Sequence, residues 1–299
     1  MNKSDTTPAP VTAVVLNWCN EADTAVCLES LAAARYGALT VLLVDNGSPD
    51  GSGERLRARF PNVAYLQTGS NVGYAGGNNR GMRWALDHGA AFVLVLNNDT
   101  VVDPECVARL VGAAEETGAA VVAPQIRYFD APDKVWYGGG DFSKVRAVGV
   151  HRLENHALNR EQVRSVATFV TGCSFLIRSD TLRAVGGFDE SFFAYVEDAE
   201  LSLRLTRAGC TMLYEPSALV LHRIAPRAVE TPFQIVQRDR NRRKLVARHY
   251  RAPERMLFAL WFYPTRGIHF ARYLARGDWA RARSIVIGAV GQRESGANL

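Results

Sequence analysis

Strands that alternate with helices predict an α/β protein. The expected architecture is a Rossmann-like, mostly parallel sheet flanked by helices, with a helical extension at the carboxyl terminus. Three observations carry this. From Val11 to Gly118 short apolar runs alternate with helix-like stretches, the rhythm of βαβ units. Phe92-Val93-Leu94-Val95-Leu96 is apolar throughout, as in a strand covered on both faces. From Thr231 onward the chain reads as helical.

In chain order the pattern predicts strands over 11–16, 40–45, 63–67 and 92–96, and helices over 22–34, 52–60, 75–88 and 104–117. Pro61, Gly89 and Gly118 close the last three helices, as residues that cannot continue a helix do. Beyond Ala123 the rhythm breaks, and Gly138-Gly139-Gly140 with the polar stretch to Arg164 predicts loops and a small hairpin. A strand over 168–178 follows, then a short helix over 179–185 with Ser179 as its cap, and a longer one over 197–208 ended by Gly209. Strands are expected over 212–214 and 218–222, and helices over 231–248 and from 253 to about 290. Residues 1–10 read as a disordered tail, 11–230 as the main domain and 231–299 as the helical extension.

The 299 residues, 47% hydrophobic and 22% charged, suit an ordinary folded protein with a sizeable core. Five cysteines, Cys19, Cys27, Cys106, Cys173 and Cys210, form no CxxC pair. That excludes a disulfide framework or zinc cluster and fits a reducing compartment. The tail lacks the apolar core of a signal peptide, and no run reaches the roughly 18 apolar residues of a membrane span. The cytoplasm is the expected location. The net charge is +5, with Arg238, Arg240, Arg242, Arg243, Lys244, Arg248 and Arg251 crowded together. No nucleic-acid-binding motif accompanies them, so anionic lipid or a phosphorylated substrate is the expected partner, not nucleic acid.

The most informative segment follows the strand at 92–96. Asn97, Asn98 and Asp99 leave it at its carboxyl end, where open α/β sheets bind ligands. One carboxylate among amides suits a hard divalent cation that keeps water and substrate phosphate as ligands. Asn17 and Asp45 leave the first and second strands the same way. Asp45 opens an Asp-Asn-Gly-Ser turn that either holds its loop or hydrogen-bonds a ribose or base edge.

Gly73-Tyr74-Ala75-Gly76-Gly77-Asn78-Asn79 is a glycine-rich entry to a helix, where backbone amides attract phosphate. It is neither GxGxxG nor a P-loop. Farther on, Phe192, Phe193 and Val196 lead into Glu197-Asp198 at a helix start. Acids there suit the helix dipole on any surface, but the aromatics suggest a walled cleft with a carboxylate as general base. Adjacent helix positions point about 100° apart, so one of the two should face substrate. His222 ends the apolar run before it, structural or a metal or phosphate contact.

Together these residues resemble the family 2 glycosyltransferases of the GT-A fold. The likeness covers Val11 to Arg223, with Arg240-Asn241-Arg242 beyond it. It rests on Asn71-Val72-Gly73 with Gly76-Gly77-Asn78, on Asn97-Asn98-Asp99, and on the run from Thr171-Gly172 through Gly187-Phe188-Asp189 to Glu197-Asp198 and Leu203-Arg204. The resemblance implies a metal-assisted, inverting transfer of a sugar from a nucleotide-sugar donor to an acceptor hydroxyl. It makes Asp99 the site of Mg2+ or Mn2+, with His222 as a further metal or diphosphate contact. It places Asn17, Asp45, Gly76, Gly77, Asn78 and Asn97 at the nucleotide, Asp198 as base and Glu197 as its support. Asn97-Asn98-Asp99 supplies one carboxylate where the fuller pattern has two, which implies weaker metal affinity or binding that depends on the donor.

The overall likeness to rhamnosyltransferases of this family implies dTDP-L-rhamnose as donor and bacterial cell-surface polysaccharide assembly as setting. UDP-hexoses stay open, as do a nucleotidyltransferase and an inactive nucleotide-sugar-binding subunit. Stretches 255–263 and 268–274 mix basic and aromatic residues at helical spacing. They either pack on the catalytic domain or sit on an anionic membrane. The second case puts the protein at the inner face of the plasma membrane, beside a saccharide or lipid-linked saccharide acceptor.

Overall fold

The computed structural model describes residues 7–157, 162–224 and 229–291. β1 (Val11–Asn17), α1 (Glu21–Ala32), β2 (Leu39–Asp45), α2 (Ser52–Arg59), β3 (Ala64–Gln67), α3 (Gly73–Asp87) and β4 (Phe92–Asn97) follow one another. β3, β2, β1 and β4 lie side by side in parallel. Strand order reverses at β1, which pairs with both β2 and β4: Asn17 lies opposite Asp45, and Leu16 opposite Asn97. Three carboxyl ends therefore open on one crevice. α3 crosses β1 closely. A Cβ on Gly77 would stand 2.5 Å from Leu16 Cδ1, so a larger residue would have to push Leu16 aside or the helix away.

Then come β5 (Thr100–Val102), α4 (Cys106–Thr117), β6 (Val121–Tyr128), β7 (Val135–Tyr137), β8 (Gly140–Ser143), β9 (Val148–His151), β10 (Ser165–Ala167), β11 (Ser174–Arg178), α5 (Ser179–Val185), α6 (Glu197–Arg207) and β12 (Met212–His222). The principal strands run β10-β12-β6-β11-β4-β1-β2-β3, with β5 on β12 and β7 on β6. Beyond β4 the sheet is mixed, because β11 is antiparallel to both β4 and β6. β8 and β9 form the small hairpin expected between 138 and 164.

Three local expectations differ. The strand expected over 168–178 begins only at Ser174, as β11, with β10 ending before it at Ala167, because Thr171-Gly172-Cys173 leaves the sheet to meet α3 and α6. The strands expected over 212–214 and 218–222 are one, β12, with a bulge between Glu215 and Leu219, which absorbs the turn residues Pro216 and Ser217. Ser179 does not cap α5; its hydroxyl donates to the Ala90 carbonyl at 2.5 Å.

Of the tail expected over 1–10, residues 1–6 lie outside the described residues, as do 292–299 of the extension. Ala9 and Pro10 are tied to the body: Tyr36 donates to the Ala9 carbonyl at 2.7 Å and Phe92 to that of Pro10 at 3.1 Å. The extension comprises α7 (Pro232–His249), α8 (Ala252–Ala275) and α9 (Trp279–Val290). Thr231 and Gln234 form a capping box at α7, with proline in its first turn, a strong start signal. The chain turns between α8 and α9, where the Asp278 carboxylate caps α9 by accepting from Arg281 N at 3.1 Å.

Asp239 of α7 has no exposure, and both its oxygens accept from Arg266 of α8, at 2.9 and 3.0 Å. Arg242 lies over the rings of Phe258, Trp261 and Phe262. Among the described residues no helix is long and apolar enough to cross a membrane.

Candidate active site

At the ends of β1 and β2, Asn17 and Asp45 meet each other. Asn17 Nδ2 donates to Asp45 Oδ1 at 3.2 Å and to Ser52 Oγ at 3.0 Å, while Ser48 Oγ donates to Asp45 Oδ1 at 2.6 Å. Neither side chain is exposed, and a Cβ on Gly53 would fall 2.3 Å from Asp45 Cγ. Packed this way, the pair locks the loops after β1 and β2 together. Gly76 and Gly77 lie against Val72 and Leu16, and Asn78 is buried, donating to the Tyr74 carbonyl at 3.0 Å. These five residues were expected at the nucleotide; in this structure none of them lines the main cavity.

That cavity, about 590 Å3, opens between the end of β4, the 171–173 loop, the start of α6 and α7. Asn97 and Asp99 reach it from β4 and His222 from the end of β12. Asp99 Oδ1 is buried without a well-aligned hydrogen bond, yet His222 Nε2 stands 3.2 Å away. Burial opposes charge on the His222 imidazole, but Cys173 and Asp99 beside it prevail and raise it to about 10. Asn98 turns away and donates to Thr24 Oγ1 at 2.7 Å.

An under-satisfied carboxylate oxygen beside an imidazole fits a divalent cation that would displace the imidazole's proton and take its remaining ligands from substrate and water. Among the described residues no three His, Cys, Asp or Glu side chains gather closely enough to hold a metal alone. Any cation held here would need oxygens from a bound substrate or water to complete its ligands.

Glu197 and Asp198 begin α6, after a strained approach: Phe193, Tyr195 and Val196 have φ of 46°, 69° and 74°, positions that non-glycine residues rarely adopt. What holds them is Asn241 of α7. Its Nδ2 lies 2.8, 2.9 and 2.8 Å from the carbonyl oxygens of Phe192, Ala194 and Tyr195, so its two N–H groups serve three acceptors with one shared. The sequence marked Asn241 only as part of a motif. An asparagine between two arginines in a helix, where its propensity is poor, was the available signal.

Asp198 Oδ2 accepts from Gly172 N at 3.0 Å and Oδ1 from Ala199 N at 2.7 Å. Burial raises Asp198, and these amides partly restrain the rise. Glu197 is raised well above the ordinary value by burial and by the charge of Asp198, and its Oε2 has no hydrogen-bond partner. Of two interacting carboxyls the one with stronger anion support ionises first, so Asp198 gives up its proton before Glu197 does. Both line the cavity, where one was expected to, because the cavity wraps around the start of α6.

Two wall residues come from the irregular stretch after Ala123, one in β7 and one in β9. Trp136 stands edge-on to His222, ring centres 4.6 Å apart, and to His151 at 4.4 Å. Both Trp136 and His151 line the cavity. Burial pushes the His151 imidazole down to about 4, so it presents a neutral ring.

Residues 13–186 match the family described as Glycosyl transferase family 2. The N-acetylglucosaminyl-diphospho-decaprenol L-rhamnosyltransferase of Mycobacterium tuberculosis is 32% identical over 220 residues, 65% of this chain and 70% of that protein. Two solved structures are similar at lower identity. GalNAc-T7 with UDP, GalNAc and Mn2+ has a TM-score of 0.62 at 15% identity; the match covers 81% of this chain but 48% of that one, so this chain spans about half its length. The mannosyltransferase PcManGT from Pyrobaculum calidifontis, in complex with GDP-Man and Mn2+, gives 0.58 at 17%, covering 95% of this chain and 82% of that one. At these identities the likeness is one of fold.

Proposed function

The chain belongs to glycosyl transferase family 2, with the GT-A fold, and we propose that it transfers L-rhamnose from dTDP-L-rhamnose, with inversion, to a lipid-linked saccharide in bacterial cell-surface polysaccharide assembly. The observation that carries this reading is one cavity with Asp99 and His222 on one wall and the Asp198 carboxylate on another. The similarity to the mycobacterial rhamnosyltransferase supports the choice of donor sugar and acceptor class.

In this reading the acceptor hydroxyl gives its proton to Asp198 while its oxygen bonds to the sugar's anomeric carbon. The bond from that carbon to the diphosphate breaks, and the electron pair leaves with the diphosphate. Asp99 and His222 would hold Mg2+ or Mn2+, which would offset the charge growing on the leaving group; the Mn2+ in both similar structures supports a divalent ion. Gly172 and Ala199 hold the Asp198 carboxylate in place. Protonated Glu197 keeps a second negative charge away from it. The nucleoside lies toward β1 and β2, where the Asn17–Asp45 network fixes the loops that receive it, with Asn97 at the diphosphate side.

Residues 11–230 are, on this reading, the catalytic unit, and α7–α9 position its acceptor side and meet the membrane. Met256, Leu257, Leu260, Tyr263 and Ile268 of α8 are all about half exposed or more. From Arg255 to Ala275 the helix has arginines but no acid. An apolar face edged by arginine suits the surface of an anionic bilayer.

The direct test offers dTDP-L-rhamnose and UDP-hexoses with an N-acetylglucosaminyl diphosphate lipid and determines the product's anomeric configuration. Inverted rhamnoside is expected. A product that retains configuration would remove Asp198 from the base role.

A further inference from the structure

A second cavity, of about 190 Å3, adjoins the first. Asp198, Glu197, His151, Tyr195 and Arg238 line both, whereas Asp99, His222 and Asn97 line only the larger. Asp198 therefore stands at the junction. Beyond it Phe169, Val148 and Val196 give the small cavity an apolar wall. Among the described residues that line either space, Arg238 is the one lysine or arginine. Its guanidinium is partly exposed and grips Glu230 by two nitrogens, Nη2 to Oε2 at 2.7 Å and Nη1 to Oε1.

We propose that the small cavity receives the acceptor's sugar and that Arg238 binds a diphosphate on that acceptor, a prenyl-type lipid diphosphate, by exchanging Glu230 for it. This rests on the glycosyltransferase reading and says where the second substrate sits.

A base must come within hydrogen-bond reach of the hydroxyl it deprotonates, so the acceptor must reach Asp198. The leaving diphosphate lies with Asp99 and His222 in the larger space, which leaves the far side of Asp198 for the incoming sugar. Phe169 and Tyr195 offer ring surface to the apolar face of a pyranose, and Glu197 and His151 offer polar atoms to its hydroxyls. A second diphosphate needs its own cation, and a guanidinium fork matches two phosphate oxygens as it matches two carboxylate oxygens. Glu230 is an internal stand-in for that anion. An ion pair this exposed is worth little by itself, so exchange is easy.

The test measures binding of farnesyl diphosphate, with farnesol as control, to the full chain saturated with Mn2+ and the nucleoside diphosphate that binds it. Farnesyl diphosphate is expected to bind with the nucleotide in place. Arg238→Ala should weaken it about tenfold or more, with Arg238→Lys between, while nucleotide affinity is unchanged. Glu230→Gln should tighten it, the opposite sign, which a merely structural ion pair would not give. The proposal is overturned if farnesyl diphosphate displaces the nucleotide, if farnesol binds equally well, if Arg238→Ala has no effect, or if Glu230→Gln weakens binding. Nucleotide binding with no farnesyl diphosphate binding overturns this subsite alone; failure of the nucleotide to bind overturns the donor site beneath it.

Discussion

Gly172 donates its amide to the Asp198 carboxylate across 3.0 Å, and the Gly172 carbonyl accepts from the Tyr74 hydroxyl at 2.6 Å. One residue between β10 and β11 thus joins the glycine-rich start of α3 to the proposed base. A carboxylate held by two backbone amides cannot swing away from an acceptor, and the same bonds favour its ionised form.

Asp198→Asn is expected to lower turnover about 100-fold or more while leaving donor affinity nearly intact. In the wild type, turnover should rise with pH as Asp198 ionises, along a limb above the usual carboxylate value of about 3.9 because burial raises this group. A pH–rate profile of both proteins checks this. Wild-type turnover in the variant would reject the assignment.

Glu197 also shapes stability. With its folded value raised by burial and by Asp198, the folded chain keeps a proton that the unfolded chain releases. Stability therefore falls as pH rises from the ordinary carboxylate value toward the folded one. Glu197→Gln removes that loss. Its melting temperature relative to wild type should climb as pH rises above the ordinary carboxylate range. A difference that is flat or shrinks over that range would contradict the raised value.

Asn241→Ala strips the shared donor from three carbonyls behind three left-handed residues. A cost of about 2 kcal/mol or more in denaturant unfolding is expected, with reduced turnover. Asn241→Asp should be worse, because a carboxylate accepts where the loop needs a donor. An alanine variant with the wild-type midpoint and full turnover would show that the loop holds its own shape.

For α8, Leu260→Glu with Tyr263→Glu should abolish flotation with anionic liposomes and spare nucleotide binding. Wild-type protein that stays at the bottom of the gradient would favour a face with no role at the bilayer.

Much of this was legible because it is local. Phe92–Leu96 followed by Asn97-Asn98-Asp99 shows a strand end and its carboxylate in consecutive letters, and Glu197-Asp198 after aromatics does the same for a helix start. What escaped depends on distant pairing. Asn241 acts on a loop 46 to 49 residues earlier, and Trp136 and His151 come from a stretch with no periodicity. The glycines of α3 illustrate a different limit: glycine next to a helix start suits phosphate and close packing equally, and only the approach of Leu16 to Gly77 distinguishes them.

Titration calorimetry of dTDP, UDP and GDP with and without Mn2+ reads the proposed metal-assisted nucleotide-sugar site at Asp99. One nucleotide is expected to bind, Mn2+ to strengthen its binding, and Asp99→Ala to lose the enhancement. Folded protein that binds none of the three, or an Asp99→Ala variant that keeps the Mn2+ effect, would contradict that assignment.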